Sequence, residues 1–170
     1  MKLLVIRHAI AENREEWAFS GKPDAERPLT KEGREKMQRA ARGLREVMPR
    51  LDLLATSPLA RALQSAEIVA DEYGGMELTI VEELSPENAV DVLLPWLRAH
   101  EADTTVAVVG HEPYLAFLVG WLLTGRHESF VELKKGGACL LEFDDPPAAG
   151  NATLIWSIAP AQLRTLRKAK

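Results

Sequence analysis

The chain opens with Lys2-Leu3-Leu4-Val5-Ile6-Arg7-His8-Ala9, an apolar run that ends in an arginine and a histidine. A short apolar run bounded by charge is typical of a strand buried in a parallel sheet. Ligands of open α/β sheets bind just beyond the carboxyl ends of such strands. The stretch therefore predicts a buried strand that carries Arg7 and His8 to a reactive centre.

A second apolar run carries another histidine in the same way. The stretch Thr104-Thr105-Val106-Ala107-Val108-Val109-Gly110-His111 ends at His111 as the first run ends at His8. The carboxyl ends of parallel strands meet at one edge of a sheet. We therefore expect both histidines at that edge, where together they indicate a functional site.

The remaining pattern alternates strands with helices. Strands are predicted over residues 3–6, 51–56, 77–81, 106–109, 138–143 and 153–158. Helices are predicted from the N-cap Thr30 to Pro49, from Ser57-Pro58 to about Tyr73, over 87–100 and over 114–123, with a polar loop over 12–29. This alternation predicts an α/β fold, a three-layer α/β/α sandwich whose central sheet is mostly parallel and whose last hairpin is antiparallel.

Length and composition indicate a single domain spanning residues 1–170. The contents of 46% hydrophobic and 27% charged residues are ordinary for a globular protein, and no apolar stretch approaches the roughly 20 residues of a membrane span. The net charge of −4 argues against nonspecific nucleic-acid binding, and the basic stretch 164–170 is predicted to be a solvated terminus. The single cysteine, Cys139, is predicted to be buried, and without a disulfide partner it favours a reducing cytoplasm.

Arg61 adds a second guanidinium group to the predicted site. It lies on the first turns of the helix after the second strand, where free N–H groups also favour an anion. Two guanidinium groups and two imidazoles form a cationic pocket, which makes a phosphoryl group the expected ligand. A metal ion is the alternative, but the histidines lack carboxylate-rich or cysteine-rich spacing, and adjacent arginines would repel a cation.

Several motifs occur in an order that resembles the histidine phosphatase superfamily. They are Arg7-His8-Ala9, Arg27-Pro28-Leu29-Thr30-Lys31-Glu32-Gly33, Ser57-Pro58-Leu59-Ala60-Arg61-Ala62-Leu63-Gln64-Ser65-Ala66 and Val109-Gly110-His111-Glu112-Pro113. The likeness covers nearly the whole chain and is nearest to the small bacterial phosphohistidine phosphatases of the SixA group. The main departure is Ala9, where the family has glycine, which adds a methyl group beside His8.

The resemblance implies a phosphoglycerate mutase-like fold without a lid insertion, and it implies roles for the motif residues. His8 would be the nucleophile that becomes transiently phosphorylated. Arg7, Arg61 and His111 would hold the phosphoryl oxygens. Because the arginines and a protonated His111 would supply the positive charge, no metal or other cofactor is expected.

Three further side chains are candidates. By resemblance, Glu83 falls where the superfamily has the carboxylic acid that protonates the leaving group, and Glu82 is the second candidate for that role. Solvated loop charges are the alternative interpretation of both glutamates. Asn13, in the polar loop, is expected to donate a hydrogen bond to phosphate.

The spacing of the motifs bears on the substrate. Only fifty positions separate Arg61 from His111, whereas the mutases and acid phosphatases that resemble this chain carry long lid-forming insertions there. An open pocket suits a phosphorylated side chain on another protein. The expected function is that of a phosphohistidine phosphatase acting on a phosphorelay-type protein. A phosphatase of small phosphate esters and a noncatalytic phosphohistidine-binding module are the alternatives, and no oligomeric state is predicted.

Overall fold

The computed structural model describes residues 1–166, so the end of the basic terminus, residues 167–170, lies outside the described residues. Its strands are β1 (Lys2–Arg7), β2 (Leu53–Thr56), β3 (Leu78–Ile80), β4 (Thr105–Gly110), β5 (Ala138–Glu142) and β6 (Thr153–Ile158). Its α-helices are α1 (Arg14–Phe19), α2 (Lys31–Val47), α3 (Ala60–Glu72), α4 (Leu94–Arg98), α5 (Tyr114–Thr124) and α6 (Pro160–Leu163). None of these helices is both long and apolar enough to cross a bilayer.

The six strands form one sheet in the order β3-β2-β4-β1-β5-β6. The first four strands of the chain are parallel to one another, and β5 and β6 run antiparallel. β4 lies between β1 and β2 although it follows both in the chain. The carboxyl ends of these three strands are therefore neighbours. The predicted mostly parallel sheet with an antiparallel last hairpin is confirmed.

Helices cover both faces of this sheet, which confirms the three-layer arrangement. Alternate residues of β1 enter two apolar clusters, Leu3 and Val5 in one and Leu4 and Ile6 in the other. The first cluster packs against α4 and α5, and the second packs against α2, α3 and α6. All four β1 side chains are buried, as expected of a strand covered on both faces.

Part of the predicted polar loop is helical. α1 begins after Asn13, whose side-chain oxygen accepts hydrogen bonds from the N–H groups of Glu15 (2.9 Å) and Glu16 (3.1 Å). None of the six residues of α1 is buried, so the helix has no apolar periodicity by which a sequence pattern would reveal it. The loop prediction is wrong for Arg14–Phe19.

α3 begins later than the sequence predicts. Its first residue is Ala60, and Ser57 does not serve as the N-cap. The Ser57 hydroxyl oxygen instead lies 2.8 Å from Nε2 of His111. Ser57 therefore contacts His111 and does not begin the helix, although a serine followed by a proline is a typical helix start.

The helix predicted over 87–100 forms only in part. The structure has a 3-10 turn over Val90–Leu93 followed by the short α4. Pro95 has no N–H group, and in a continuous α-helix its ring would clash with the carbonyl of Asp91. The proline thus limits this connection to short helical turns.

The start of α2 is tied to the segment that follows His8. The Thr30 hydroxyl oxygen accepts a hydrogen bond from the Gly33 N–H at 2.9 Å, which confirms Thr30 as the N-cap. The Ile10 carbonyl accepts a hydrogen bond from the Thr30 N–H at 3.0 Å. A Cβ on Gly33 would lie 2.0 Å from that same carbonyl oxygen, so glycine is required for the close approach.

We expect Gly33→Ala to lower the free energy of unfolding by about 1–3 kcal/mol, because the added methyl group must push α2 away from the Ile10 backbone. This loss should appear even though alanine is the better helix former. Urea denaturation followed by circular dichroism measures it. Gln38→Ala, at an exposed position of the same helix, is the control, and equal stabilities of the two variants would contradict the steric argument.

Candidate active site

Strand ends meet at one edge of the sheet and bring the two histidines together. Arg7 pairs with Gly110 in the parallel register of β1 and β4, so the next residues, His8 and His111, leave the sheet side by side. The His8 N–H donates to the Gly110 carbonyl at 3.0 Å. The two imidazole rings have centroids 5.1 Å apart. This is the placement that the two apolar runs predict.

A cavity of about 690 Å³ opens at this edge, and we call it the histidine cavity because His8 and His111 both line it. Its other basic lining residues are Arg7, Arg14, Arg27, Arg61 and Lys135. Its acidic lining residues are Glu12, Glu16 and Glu112. Positive side chains outnumber negative ones, so the histidine cavity is suited to an anionic ligand.

His8 is held as a neutral ring with one nitrogen free. It is 6% exposed, and its Nδ1 lies 2.7 Å from the carbonyl oxygen of Ala9. A proton on Nδ1 makes this hydrogen bond and leaves the lone pair on Nε2 free. Burial lowers the pKa of His8 to about 3, and the charges of Arg61 and Arg7 act in the same direction. The ring is therefore uncharged near neutral pH and has the form of a nucleophile.

His111 is also neutral in the site without a ligand, whereas the sequence predicts a protonated ring beside a bound phosphoryl group. Burial lowers its pKa to about 2, and His8 and Arg61 add to that effect. When the Ser57 hydroxyl donates to Nε2, the ring proton lies on Nδ1, a buried atom without a hydrogen-bond partner among the described residues. His111 can thus offer a hydrogen bond without carrying a charge.

Arg7 is positioned by the segment that precedes β5. Its Nη1 donates to the carbonyl oxygen of Leu133 at 2.7 Å, and the Leu133 N–H donates to the Glu112 carboxylate at 3.1 Å. The same carboxylate accepts a hydrogen bond from the Ala116 N–H at the start of α5. Glu112 therefore holds in place the carbonyl that orients Arg7, while Nε of Arg7 is buried without a partner in the described chain.

Arg61 is held from the opposite side by Asp24. Its side chain is on the first turn of α3, and the residue is 3% exposed. Nη1 donates to the carbonyl oxygen of Asp24 at 3.0 Å and lies 3.2 Å from its carboxylate. The Arg61 Nε is buried and has no partner in the part of the chain that the structure describes. One end of the guanidinium group is thus fixed and the other is uncommitted.

Asp24 connects Arg61 with two further arginines. Its carboxylate lies 2.8 Å from Nε of Arg27 and 3.4 Å from Nε of Arg14. Burial alone would raise the pKa of Asp24, but hydrogen bonds from Arg27 and Arg14 lower it to about 2. Sequence reasoning did not identify Asp24, Arg14, Arg27 or Lys135 as site residues. Of these four residues, only Arg27 belongs to a motif segment, which could have indicated its place in the site.

The structure places the three remaining candidates differently. Asn13 lines the histidine cavity; its side-chain oxygen accepts the hydrogen bonds that cap α1, and its Nδ2 group is its side-chain donor. Glu83 is half-buried and is not among the residues that line the cavity. Its carbonyl oxygen accepts a hydrogen bond from the Tyr114 hydroxyl at 2.8 Å. Glu82, its neighbour, is exposed.

The donor set at the site matches a phosphoryl group. Within residues 1–166, no three or more histidine, cysteine, aspartate or glutamate side chains form a group that could hold a metal ion. Guanidinium and imidazole side chains line the histidine cavity instead. Such donors recognise tetrahedral oxyanions through charge-assisted hydrogen bonds.

Comparison with known proteins bears on the family. The model of the histidine phosphatase superfamily (branch 1) matches residues 3–88, which include Arg7, His8 and Arg61. An uncharacterized protein of Picosynechococcus sp. is 33% identical over 139 residues, covering 81% of this chain and 82% of that protein.

Two solved structures are similar over most of the chain. The protein histidine phosphatase SixA, complexed with tungstate, superposes with a TM-score of 0.81 at 26% identity, covering 96% of this chain and 99% of that one. Phosphoserine phosphatase of Entamoeba histolytica, in complex with 3-phosphoglyceric acid, has a TM-score of 0.70 at 19% identity, with 95% and 98% coverage. At that lower identity the second likeness concerns the fold.

The two neutral histidines predict a loss of stability in acid. Between the ordinary histidine pKa of 6.5 and the folded values of about 3 and about 2, the unfolded chain binds protons that the folded protein does not. The free energy of unfolding should therefore fall as pH is lowered from 6.5 toward 3, by up to about 1.4 kcal/mol per pH unit for each histidine.

Urea denaturation at about pH 7.5 and about pH 5 measures this loss. We expect His8→Asn and His111→Asn each to lose less stability between these pH values than the wild type loses. His127→Asn, which replaces an exposed histidine outside the cavity, is the control. Equal losses in all four proteins would show that the two buried rings do not cause the acid sensitivity.

Proposed function

Because the chain belongs to the histidine phosphatase superfamily, we propose that it removes phosphate from a histidine of a protein substrate through a phosphorylated form of His8. One observation carries the proposal. Around the neutral His8 ring, the same cavity is lined by three side chains with a buried nitrogen that has no partner among residues 1–166. These nitrogens are Nε of Arg7, Nε of Arg61 and Nδ1 of His111. Phosphoryl oxygens are acceptors that suit all three.

In the proposed reaction, Nε2 of His8 attacks phosphorus in line with the P–N bond of the substrate phosphohistidine. The guanidinium groups of Arg7 and Arg61 neutralise the equatorial oxygens while charge redistributes. The substrate imidazole, protonated on its second nitrogen, leaves as a neutral ring. Water then attacks the phosphorylated His8, which releases inorganic phosphate and restores the lone pair on Nε2.

This reaction needs no carboxylic acid beside the leaving group. The role expected for Glu83 is therefore not part of the proposal, in agreement with its place outside the residues lining the histidine cavity. Asn13 is proposed as an additional phosphate donor through Nδ2. Because arginines supply the positive charge, we propose turnover without a metal or other cofactor. A cytoplasmic location stays a prediction of the sequence, based on the single cysteine.

Two observations support a protein substrate. Between Arg61 and His111 the chain forms the rest of α3, then β3, short helical turns, α4 and β4, and this described stretch contains no inserted lid segment. An open site admits a side chain that is attached to another protein. The likeness to the protein histidine phosphatase SixA, at 26% identity over nearly the whole of both chains, supports the same substrate class.

A phosphatase of small phosphate esters is the second candidate. The histidine cavity, at about 690 Å³, falls within the roughly 300–1,000 Å³ typical of small-molecule sites. An alkoxide is a poorer leaving group than a protonated imidazole, so this reaction would depend more on a proton donor. Comparing turnover of a phosphohistidine peptide with that of p-nitrophenyl phosphate and phosphoglycerate distinguishes the two candidates.

We expect His8→Ala to abolish turnover of a phosphohistidine peptide while the protein stays folded, because the substitution removes the nucleophile at a strand end. Wild-type protein quenched during turnover of a radiolabelled peptide should carry acid-labile, base-stable phosphate, and His8→Ala should not. The same trapping excludes a noncatalytic binding module. Activity of His8→Ala within about tenfold of wild type would contradict the role of His8 as the nucleophile.

We expect Arg61→Ala to lower kcat by about 10²–10³-fold, because it removes a donor that holds the charge developing on the phosphoryl group. Arg61→Lys should recover only part of this loss, since an ammonium group cannot bind two oxygens as a planar fork does. Arg39→Ala, at an exposed position of α2, is the control. The assay contains EDTA, so that turnover is measured without a metal ion. Full recovery of kcat in Arg61→Lys would contradict a bidentate role for Arg61.

A further inference from the structure

A second cavity, of about 470 Å³, adjoins the histidine cavity. Arg7 and Lys135 line both, so the two cavities are continuous across these side chains. We call the second cavity the basic groove, because Lys36, Lys134 and Arg164 line it as well. The proposed phosphatase reaction makes no use of these three residues.

One wall of the basic groove is attached to the backbone of the nucleophile. The N–H of Gly136 donates to the carbonyl oxygens of Arg7 (3.1 Å) and His8 (3.2 Å). In the other direction, the Arg7 N–H donates to the Gly137 carbonyl at 3.1 Å. The wall that carries Lys134 and Lys135 therefore begins directly beside His8.

The remaining residues that line the groove are largely apolar. α2 contributes Met37 and Ala40, and Pro160 contributes from the start of α6. Ile10, two residues after His8, lines the same space. A polypeptide that lay in the groove would contact aliphatic side chains as well as ammonium and guanidinium groups.

The groove concentrates positive charge in a chain whose net charge is −4. Glu132 is the one carboxylate among its lining residues within the described chain. Lys36 is paired with Glu32 along α2. Lys134 and Arg164 make no ion pair with another residue of the described part of the chain. Lys134 and Arg164 therefore offer positive charges with which an incoming anion can form ion pairs.

We propose that the basic groove binds an acidic segment of the protein substrate next to its phosphohistidine, an inference that rests on the proposed function. A phosphohistidine seated against His8 belongs to a polypeptide that must continue out of the histidine cavity. The groove is continuous with that cavity through Arg7 and Lys135, and its charge is complementary to aspartate and glutamate side chains. The apolar lining residues accommodate the aliphatic parts of the same segment.

Two synthetic peptides test this docking. Each carries a single chemically phosphorylated histidine, flanked on both sides by glutamates in one peptide and by glutamines in the other. We expect wild-type kcat/KM to be about tenfold higher for the glutamate peptide than for the glutamine peptide, because the KM of the glutamate peptide is lower. As the salt concentration is raised, kcat/KM for the glutamate peptide should fall toward that for the glutamine peptide. Hydrolysis of phosphoramidate, which cannot reach the groove, should depend on salt no more than hydrolysis of the glutamine peptide does.

The double variant Lys134→Glu/Arg164→Glu should remove the preference for the glutamate peptide and leave phosphoramidate hydrolysis unchanged. Arg39→Glu/Arg126→Glu is the matched control, since it changes the net charge equally at exposed positions that line neither cavity. A preference that persists in Lys134→Glu/Arg164→Glu, or that the control removes as well, overturns the docking proposal.

Failure of the two proposals gives different results. Equal turnover of both peptides by the wild type overturns the docking and leaves the proposed function standing. If neither peptide nor phosphoramidate is hydrolysed while p-nitrophenyl phosphate is, the proposed function is wrong and the docking falls with it.

Discussion

The parallel register between β1 and β4 is the constraint on which the site depends. Because Arg7 lies opposite Gly110, the two histidines leave neighbouring strands at the same level, and their rings come to lie 5.1 Å apart. The insertion of β4 between β1 and β2 also brings Ser57 against His111. A slip of one residue would turn every side chain of a strand to the other face, so the register of β1 fixes both the geometry of the site and the packing of Leu3, Leu4, Val5 and Ile6 in the two apolar clusters.

The site brings several positively charged side chains close together, and the Asp24 carboxylate offsets part of their charge. Guanidinium groups that are buried without a counter-ion are costly, and the Asp24 carboxylate gathers Arg14, Arg27 and Arg61 around one anion. Both histidines respond to the same surroundings by staying neutral. In the proposed reaction, a phosphoryl group that enters the site competes with Asp24 for Arg61 and meets other donors that have no partner among residues 1–166.

The sequence predicts those parts of the molecule that local patterns determine. The apolar runs, the Thr30 cap and the histidines at strand ends are each visible within about ten residues, and the structure has them in place. The partnership of Asp24 with Arg61 joins residues far apart in sequence, through a loop without periodicity, so no local pattern announces it. Ser57 misleads for the opposite reason, because it fits a familiar local motif that tertiary contacts override. The continuous helix predicted over 87–100 fails at Pro95, although a proline inside a helix is itself a local signal of interruption.

The close approach of Gly33 to Ile10 gives the motif around it a different meaning. The segment Leu29-Thr30-Lys31-Glu32-Gly33 carries no group that reacts, yet its glycine sets how near α2 can come to the turn leaving His8. Because Gly33 has no side chain, α2 lies directly against the Ile10 backbone. A single added methyl group would already increase this distance. This segment in the sequence therefore indicates a distance between α2 and the turn that follows His8, the proposed nucleophile, and does not indicate a reacting group.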